Sequence, residues 1–339
     1  MANDTVIQTK DHSHDHSHDV PDNELWGGGV EPFKASYGKL MMWYFLLSDA
    51  FTFGGFLIAY GALRFSMNTW PVPDFVFQTA PFGISHAPLI FVTFMTFVLI
   101  VSSVTVLRAV QAGKYNINPN SSAEEDTKIK NKVIKWLLIT VVGGSAFLGC
   151  QAWEWTNLIY TEGMTVYTNP FSAHTEKGKY LSFAELEKEA NAQGWKKEKV
   201  NGHETFYFED KNGNKYFEKR DHEDHLPKKM DIDVKTPYLI TFSHHFHEYA
   251  PGAYKTESGE IKSEQFGPKS FGTLFFFITG FHGFHVLSGV VFLLIIAIQT
   301  WNGTYIKRKN GYEMVEKVGL YWHFVDLVWV FVFLAFYLL

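Results

Sequence analysis

Apolar and polar residues are segregated into long blocks along this chain. Five windows have almost no formal charge and reach the roughly 20 residues that a helix needs to cross a bilayer core. They are Leu40–Leu63, Ile84–Leu107, Trp136–Tyr160, Phe271–Trp301 and Val318–Leu339. Because lipid offers no partner to a free backbone N–H or C=O, each window is predicted to be a helix. The pattern predicts an all-α integral membrane bundle of five transmembrane helices.

Small residues interrupt three of these windows, as Gly54-Gly55, Ser102-Ser103 and Gly143-Gly144. Glycine pairs are poor choices for a helix in water, but between membrane helices small side chains permit close packing. These positions are therefore predicted to lie at helix–helix contacts.

The connection between the third and fourth windows, residues 161–269, is too long and too polar for a plain loop. Ser182 and Glu185 form a capping-box pattern, which predicts a short helix after them. Two aromatic runs within 204–218 are joined across an Asn-Gly dipeptide, a pattern typical of a β-hairpin. We expect a small α+β extramembrane insertion here.

The chain is thus predicted to have four parts. They are a polar, His-rich tail (1–35), the first three transmembrane helices (36–160), the insertion (161–269) and the last two helices (270–339).

Lys and Arg are concentrated before the first window and in the loops after the second and fourth windows. By the positive-inside rule these loops and the N-terminus are cytoplasmic, and the insertion and the C-terminus lie outside. Five tryptophans fall near predicted span ends, as in an interfacial aromatic belt. They are Trp43, Trp70, Trp136, Trp301 and Trp322.

Composition adds two limits. The net charge of −5 is the average of very apolar and very polar blocks, and the single cysteine, Cys150, excludes a disulfide framework or a Cys-rich metal site. The sequence contains no Walker loop, dinucleotide fingerprint, nucleophile elbow or basic nucleic-acid stripe.

Ionisable residues inside the windows need an explanation, because each costs about 2.5–3.5 kcal/mol to insert near the middle of a membrane. They are Asp49, Glu154, His282, His285, His323 and Asp326. Three interpretations compete: metal or haem ligation by the histidines, a proton relay, and structural pairing across helices or with lipid headgroups.

Structural pairing is the interpretation that the pattern favours. His282 and His285 face a similar direction on one helix, but the first and third windows have no histidine and no Glu-x-x-His motif occurs. Glu154 with His282, and His323 with Asp326, are predicted as pairs.

Two further histidine groups lie outside the windows. The His-Asp run of residues 11–19 is predicted to be a solvated tail. His244, His245 and His247 in the insertion are weak metal-binding candidates, since they have ligand-like composition alone.

Five motifs, in order, resemble subunit III of the haem–copper respiratory oxidases (cytochrome c oxidase). They are MWYFLLSD (Met42–Asp49), SSVT (Ser102–Thr105), QAWEW (Gln151–Trp155), GTLFFFITGFHGFHVLSG (Gly272–Gly289) and YWHFVDLVW (Tyr321–Trp329). Three departures stand out: the first two of the family's usual seven helices are missing, a short family loop is replaced by the insertion, and Asp49 stands where Glu is common.

The resemblance implies an accessory subunit of a proton-pumping terminal oxidase that reduces oxygen to water in the bacterial inner membrane. It implies no catalytic centre or cofactor in this chain, with haem and copper held by partner subunits I and II. The six ionisable residues become a buried polar network that supports proton uptake. A bound phospholipid is also implied; the candidates for its cleft are Trp43, Asp49, His86 and Trp153.

Two further expectations concern the insertion and an alternative function. The resemblance assigns no role to the insertion, and we expect the insertion to be a docking surface, such as for a neighbouring respiratory complex. The alternative function is a haem-binding membrane cytochrome that uses His282, His285 and His323.

Overall fold

The structure is a computed structural model. It describes residues 36–67, 69–77, 79–81, 89–115, 122–199, 206–217, 230–234, 236, 238, 240–243, 248–308 and 311–339. The His-rich tail (1–35), His86, His244, His245 and His247 lie outside the described residues. The chain divides into two compact units, Met1–Met41 and Met42–Leu339, and the first helix begins within the first unit.

The described residues form eight α-helices. These are α1 (Tyr37–Ser66), α2 (Pro73–Val76), α3 (Ile90–Tyr115), α4 (Ala123–Thr156), α5 (Phe183–Gln193), α6 (Lys269–Trp301), α7 (Thr304–Lys307) and α8 (Glu313–Phe333). Two π-helical turns, Asn157–Thr161 and Leu334–Leu338, follow α4 and α8. Within the described part of the chain, α1, α3, α4, α6 and α8 are long and apolar enough to cross a membrane, which confirms the five predicted spans.

The helices extend beyond the apolar windows. Helix α4 begins at Ala123, where Ser122 and Glu125 form a capping box that no apolar window could indicate. Helix α8 begins at Glu313, five positions before the predicted span. The polar ends are helical because capping and helix propensity continue after hydrophobicity ends.

The two ends of the helix bundle can be distinguished. We call the end with the short connections after α3 and α6 the short-loop end, and the end from which the insertion leaves α4 the insertion end. At the short-loop end, Lys114 near the end of α3 is 3.4 Å from Glu316 near the start of α8. At the insertion end, Tyr337 after α8 bonds Glu154 near the end of α4, and the Tyr60 ring of α1 lies 4.2 Å from the Phe336 ring.

Small residues lie at the helix contacts, as predicted for Ser102 and for the pair at 143–144. A Cβ added to Gly144 would overlap Cη2 of Trp322 and lie 2.8 Å from Cγ2 of Val290. Trp322 donates from Nε1 to Ser102 at 3.1 Å, which joins α8 to α3. In contrast, Cβ atoms added to Gly54 and Gly55 would meet nothing within 4 Å, so the prediction fails for that pair within this chain.

Trp322 also corrects the predicted aromatic belt. Its side chain is 1% exposed, so it belongs to the core of the bundle and not to the membrane surface. The predicted span began only four positions before it, but the helix begins at Glu313, which moves Trp322 inward.

The described part of the insertion has nine short strands. They are β1 (Gly178–Tyr180), β2 (Lys196–Lys199), β3 (Phe206–Glu209), β4 (Lys215–Phe217), β5 (Asp231–Ile232), β6 (Thr241–Ser243), β7 (Glu248–Ala250), β8 (Ala253–Thr256) and β9 (Ile261–Ser263). All pairs are antiparallel, in sheets of order β5-β1-β8-β9, β2-β3-β4 and β6-β7.

Both local predictions for the insertion are confirmed. Strands β3 and β4 form the expected hairpin across Asn212-Gly213, with Gly213 at a positive φ of 84°. Helix α5 follows Ser182, whose backbone N–H and hydroxyl both donate to the Glu185 carboxylate at 3.0 and 2.9 Å. These hydrogen bonds lower the pKa of Glu185, because they stabilise its charged form.

A buried polar cluster that the sequence did not indicate ties β1 to the segment after β9. The Tyr180 hydroxyl donates to Glu264 at 2.8 Å, and the His174 ring nitrogen Nε2 lies 3.0 Å from the same hydroxyl oxygen. Gly252 donates from its backbone N–H to the other carboxylate oxygen at 2.8 Å. Burial raises the pKa of Tyr180, and the Glu264 charge raises it further.

Candidate functional site

A carboxyl–imidazole pair joins α1 to α6 in the middle of the bundle. Nε2 of His285 lies 3.2 Å from Oδ2 of Asp49, and Nδ1 of His285 lies 2.8 Å from the carbonyl oxygen of Phe281. The rings of Phe53 and Phe281 pack edge-on against the imidazole at 5.4 and 4.6 Å. His285 is buried and the Asp49 side chain is 15% exposed. No local sequence pattern indicates this pairing, since the partners are 236 positions apart.

The hydrogen-bond partners determine how many protons this pair holds. The Phe281 carbonyl can only accept, so Nδ1 of His285 carries a proton. A neutral imidazole then has only a lone pair at Nε2, and a carboxylate also has only lone pairs. The contact between Nε2 and Asp49 therefore needs one further proton, on either partner. In either form the pair carries no net charge.

The backbone beside this pair is bonded to α8. The Tyr321 hydroxyl donates to the carbonyl oxygen of His285 at 3.1 Å, and Ser288 lies 2.7 Å from the same hydroxyl. Asp49, His285 and Tyr321 thus connect three helices. We call these residues, with Ser288, the central cluster.

Glu154 forms a second cluster at the insertion end, and its partners differ from the prediction. Its Oε2 accepts from the Tyr337 hydroxyl at 3.0 Å and from Nε2 of Gln151 at 3.3 Å. The predicted Glu154–His282 pair is wrong. His282 instead lies 3.1 Å through Nε2 from the carbonyl oxygen of Val325, between the rings of Phe147 and Trp329.

A small cavity lies beside Glu154. Its volume is about 10 Å³, close to the minimum for one water molecule, and its lining includes the polar residues Thr79, Glu154 and Asn157. The Asn157 amide donates to Thr79 at 2.7 Å. Since Asn157 opens the π-helical turn after α4, that turn helps to place polar groups beside Glu154.

Replacing Tyr337 with phenylalanine is expected to destabilise the protein by about 1–3 kcal/mol, because a buried acceptor loses a hydrogen bond without a change in ring volume. The measurement is thermal unfolding of the full chain in detergent. Tyr160→Phe is the matched control, since Tyr160 is 72% exposed in the π turn after α4. Equal stability of the two variants would contradict the importance of the Tyr337–Glu154 bond.

The third cluster joins α3 to α8. Nδ1 of His323 lies 2.6 Å from the hydroxyl oxygen of Ser103. In the described part of the chain, His323 thus bonds Ser103 on another helix instead of the predicted Asp326. Oδ1 of Asp326 is buried without a hydrogen-bond partner in the described structure.

The histidine nitrogens bear on the ligation interpretation. Both nitrogens of His285 already have partners, as do Nε2 of His282 and Nδ1 of His323. At His285, a metal or haem would have to displace a hydrogen bond to Asp49 or to the Phe281 carbonyl. Nδ1 of His282 is buried without a hydrogen-bond partner among the described residues. Among the described residues, no three His, Cys, Asp or Glu side chains are grouped so that they could hold a metal ion.

The clusters do not form one continuous relay. No hydrogen bond connects the central cluster, the Glu154 cluster and the Ser103 cluster within the described part of the chain. A proton path through all three depths would therefore need water or another chain.

The candidate lipid-cleft residues are not brought together. Trp43 is 62% exposed near the start of α1, and Asp49 faces His285. Trp153 lies near the end of α4, at the insertion end, with its ring 4.9 Å from that of Phe91. Trp43 and Trp153 thus lie towards opposite ends of the bundle, and the lipid cleft stays a prediction.

Comparison with known proteins finds similarity in the C-terminal region of the chain. Residues 257–339 match the family model of cytochrome c oxidase subunit III. Cytochrome c oxidase subunit 3 of Marchantia polymorpha is 44% identical over 68 residues, which are 20% of this chain and 24% of that protein. The Drosophila melanogaster protein of the same name is 43% identical over 67 residues, 20% of this chain and 25% of the relative.

A bacterial relative matches a slightly longer stretch. The probable cytochrome c oxidase subunit 3 of Rickettsia bellii is 35% identical over 92 residues, 27% of this chain and 30% of that protein. The match to each of these relatives spans less than a third of the relative's length.

The fold and the buried polar clusters define a multi-pass membrane protein of five helices with a strand-containing insertion. Residues 257–339, which include α6 with His285 and α8 with His323, are similar to cytochrome c oxidase subunit III.

Proposed function

We propose that this chain is the accessory subunit III of a proton-pumping terminal oxidase that reduces oxygen to water. It packs on catalytic subunit I, in a complex with subunit II, and contributes no redox centre. The observation that carries the proposal is the Asp49–His285 pair, with a 3.2 Å contact in the middle of two membrane helices. The family match of α6, which supplies His285, supports the same assignment.

The role of the pair is to hold a proton at membrane depth. A lone carboxylate or imidazolium there would be costly, whereas the pair, which has no net charge, keeps its shared proton within the hydrocarbon region. Asp49 is partly exposed, so its carboxyl can exchange this proton with water or with a neighbouring chain. The pair thereby supports proton uptake by the catalytic subunit.

The partners of His285 support the proposal that this chain holds no redox centre. Both ring nitrogens of His285 bond groups of this chain, the Phe281 carbonyl and the Asp49 carboxyl. A haem at His285 would therefore have to displace one of these hydrogen bonds. Bound phospholipid around the bundle is part of the same proposal, because many apolar side chains of α1 and α3 are exposed.

The orientation proposed is an N-terminus in the cytoplasm and a C-terminus in the periplasm of a bacterial inner membrane. Basic residues that lie near the short-loop end support it. They are Arg108, Lys114, Lys128, Lys130, Lys132, Lys135, Arg308 and Lys317. The insertion is then periplasmic, and we assign it to docking of a neighbouring respiratory complex or electron donor.

Gentle purification of the full chain from its own membrane tests the proposal. We expect a large many-helix partner to accompany the chain, with haem and copper that track the partner. Recovery of the chain without any haem–copper protein, under conditions that keep other membrane complexes intact, would contradict the proposed function.

Deleting residues 170–262 tests the insertion separately. Unchanged assembly and donor kinetics would contradict its docking role.

A further inference from the structure

Asp326 is a carboxyl group without a cation at the middle of a membrane helix. The span that contains it runs from Glu313 to Leu338, so Asp326 lies 13 residues from one end and 12 from the other. At 1.5 Å per residue, either end is about 18–20 Å away along the axis. Water and lipid headgroups at the membrane surfaces are therefore out of reach of this side chain.

The surroundings of Asp326 satisfy it only in part. Among the described residues, Oδ1 of Asp326 is buried and has no hydrogen-bond partner. His323 lies one helical turn away and directs Nδ1 to the hydroxyl oxygen of Ser103 on α3, at 2.6 Å.

This differs from the other two membrane carboxyl groups of the chain. Asp49 has an imidazole, and Glu154 has a tyrosine hydroxyl and an amide. Asp326 alone among these three keeps a buried oxygen without a donor. A carboxyl group at the centre of a helix costs about 2.5–3.5 kcal/mol to insert. Oδ1 is enclosed by the chain, but the side chain as a whole is only half-buried, so a donor from outside the chain can approach the carboxyl at Oδ2 and relieve part of this cost.

The surface around Asp326 is apolar and exposed on both helices. On α3 it is formed by Ile100, Val104 and Leu107, on the same side as Ser103. On α8 it is formed by Leu327, Val330 and Phe331. We call these six residues with Ser103, His323 and Asp326 the α3–α8 face. An apolar face with one polar group at its centre matches how membrane helices are held and oriented against each other.

We propose that a transmembrane helix of a partner chain packs on the α3–α8 face and places a basic side chain against Asp326. Charge complementarity selects this occupant: lipid tails have no donor, and a second copy of this chain would bring another uncompensated Asp326 by symmetry. The inference deepens the proposed function, on which it rests, by assigning the face through which the accessory subunit meets its partner.

Photo-crosslinking in the native membrane tests the face. A benzoylphenylalanine residue at position 104 or 327 is expected to give a covalent adduct with a partner protein. The matched control position is 284, since Phe284 on α6 is 65% exposed and lies outside this face. Support requires that the cross-linked peptide come from a membrane helix with Lys, Arg or His, and that position 284 give little of the same adduct.

Asp326→Leu tests the polar contact. Leucine keeps a similar volume and removes both oxygens, so the chain itself should remain folded while the adduct yield from position 104 falls roughly tenfold or more. Asp326→Asn should give an intermediate loss. If Asp326→Leu does not accumulate in the membrane, the cross-links of the unsubstituted chain from positions 104, 327 and 284 alone test the proposed face.

Several results would overturn the inference. They are adducts with lipid only, adducts with a second copy of this chain, a partner helix without a basic residue, and an unchanged yield in Asp326→Leu. A haem–copper partner that cross-links from position 284 but not from 104 or 327 would overturn this face and leave the proposed function standing.

Discussion

An oxidase with Asp49→Ala in this chain is expected to turn over more slowly, and to lose activity sooner, than the unchanged enzyme. The substitution removes the oxygen that shares a proton with Nε2 of His285, while Nδ1 stays bonded to the Phe281 carbonyl. The two groups can then no longer share a proton. We expect a roughly few-fold decrease in turnover, largest at high pH, where protons in the bulk solution are scarce.

Two further substitutions separate the proton from the hydrogen bond. Asp49→Glu retains the acid and should restore most of the turnover. Asp49→Asn can donate to Nε2 but cannot release a proton, so its turnover should resemble that of Asp49→Ala while its stability resembles that of the unchanged chain. The measurements are oxygen consumption, proton pumping and operational lifetime from pH 6 to 9. Normal values of all three in Asp49→Ala would show that the pair has no part in proton uptake.

Gly144→Ala is expected to destabilise the bundle by about 1–3 kcal/mol, because the site has no room for a methyl group. The added carbon would overlap Cη2 of Trp322 and approach Cγ2 of Val290 to 2.8 Å. Trp322 cannot easily move away, since its Nε1 bonds Ser102 and its ring lies 2.9 Å from the position of a Cβ on Gly289.

Gly149→Ala is the control for this prediction. It is the same substitution on the same helix, and an added Cβ there would meet nothing within 4 Å. Alanine at that position should be neutral or stabilise the helix by roughly 0.5–1 kcal/mol. Thermal unfolding of both variants in detergent compares them. Equal stability of Gly144→Ala and Gly149→Ala would contradict the packing of Trp322 against α4.

The number and position of the membrane helices could be predicted because a bilayer imposes both length and hydrophobicity on a helix. The helix ends could not. Helix α4 starts at Ala123 because Ser122 and Glu125 cap it in a polar region, where the pattern of apolar residues does not indicate helix ends. The apolar window predicts a start of α8 that is too late in the sequence. It therefore predicts Trp322 at the membrane surface, whereas Trp322 lies in the core of the bundle.

The ionisable residues of the site could be named from the sequence, but their partners could not. Asp49, Glu154 and His285 can be named because the free energy of inserting an ionisable side chain into a membrane is unfavourable. Their pairing depends on helix rotation and neighbour order, which one sequence does not contain. Asp49 pairs with a residue 236 positions away, and the partner of Glu154 is Tyr337, in a π-helical turn at the end of the chain.

We propose that the ionisable groups within the membrane bond to groups of the protein and do not hold a redox metal. Metal analysis with an optical spectrum of the purified chain, separated from its partners, tests this most directly. We predict no iron or copper in proportion to the chain and no Soret band. Stoichiometric iron with a Soret band that disappears on substitution of His282, His285 or His323 would contradict the account.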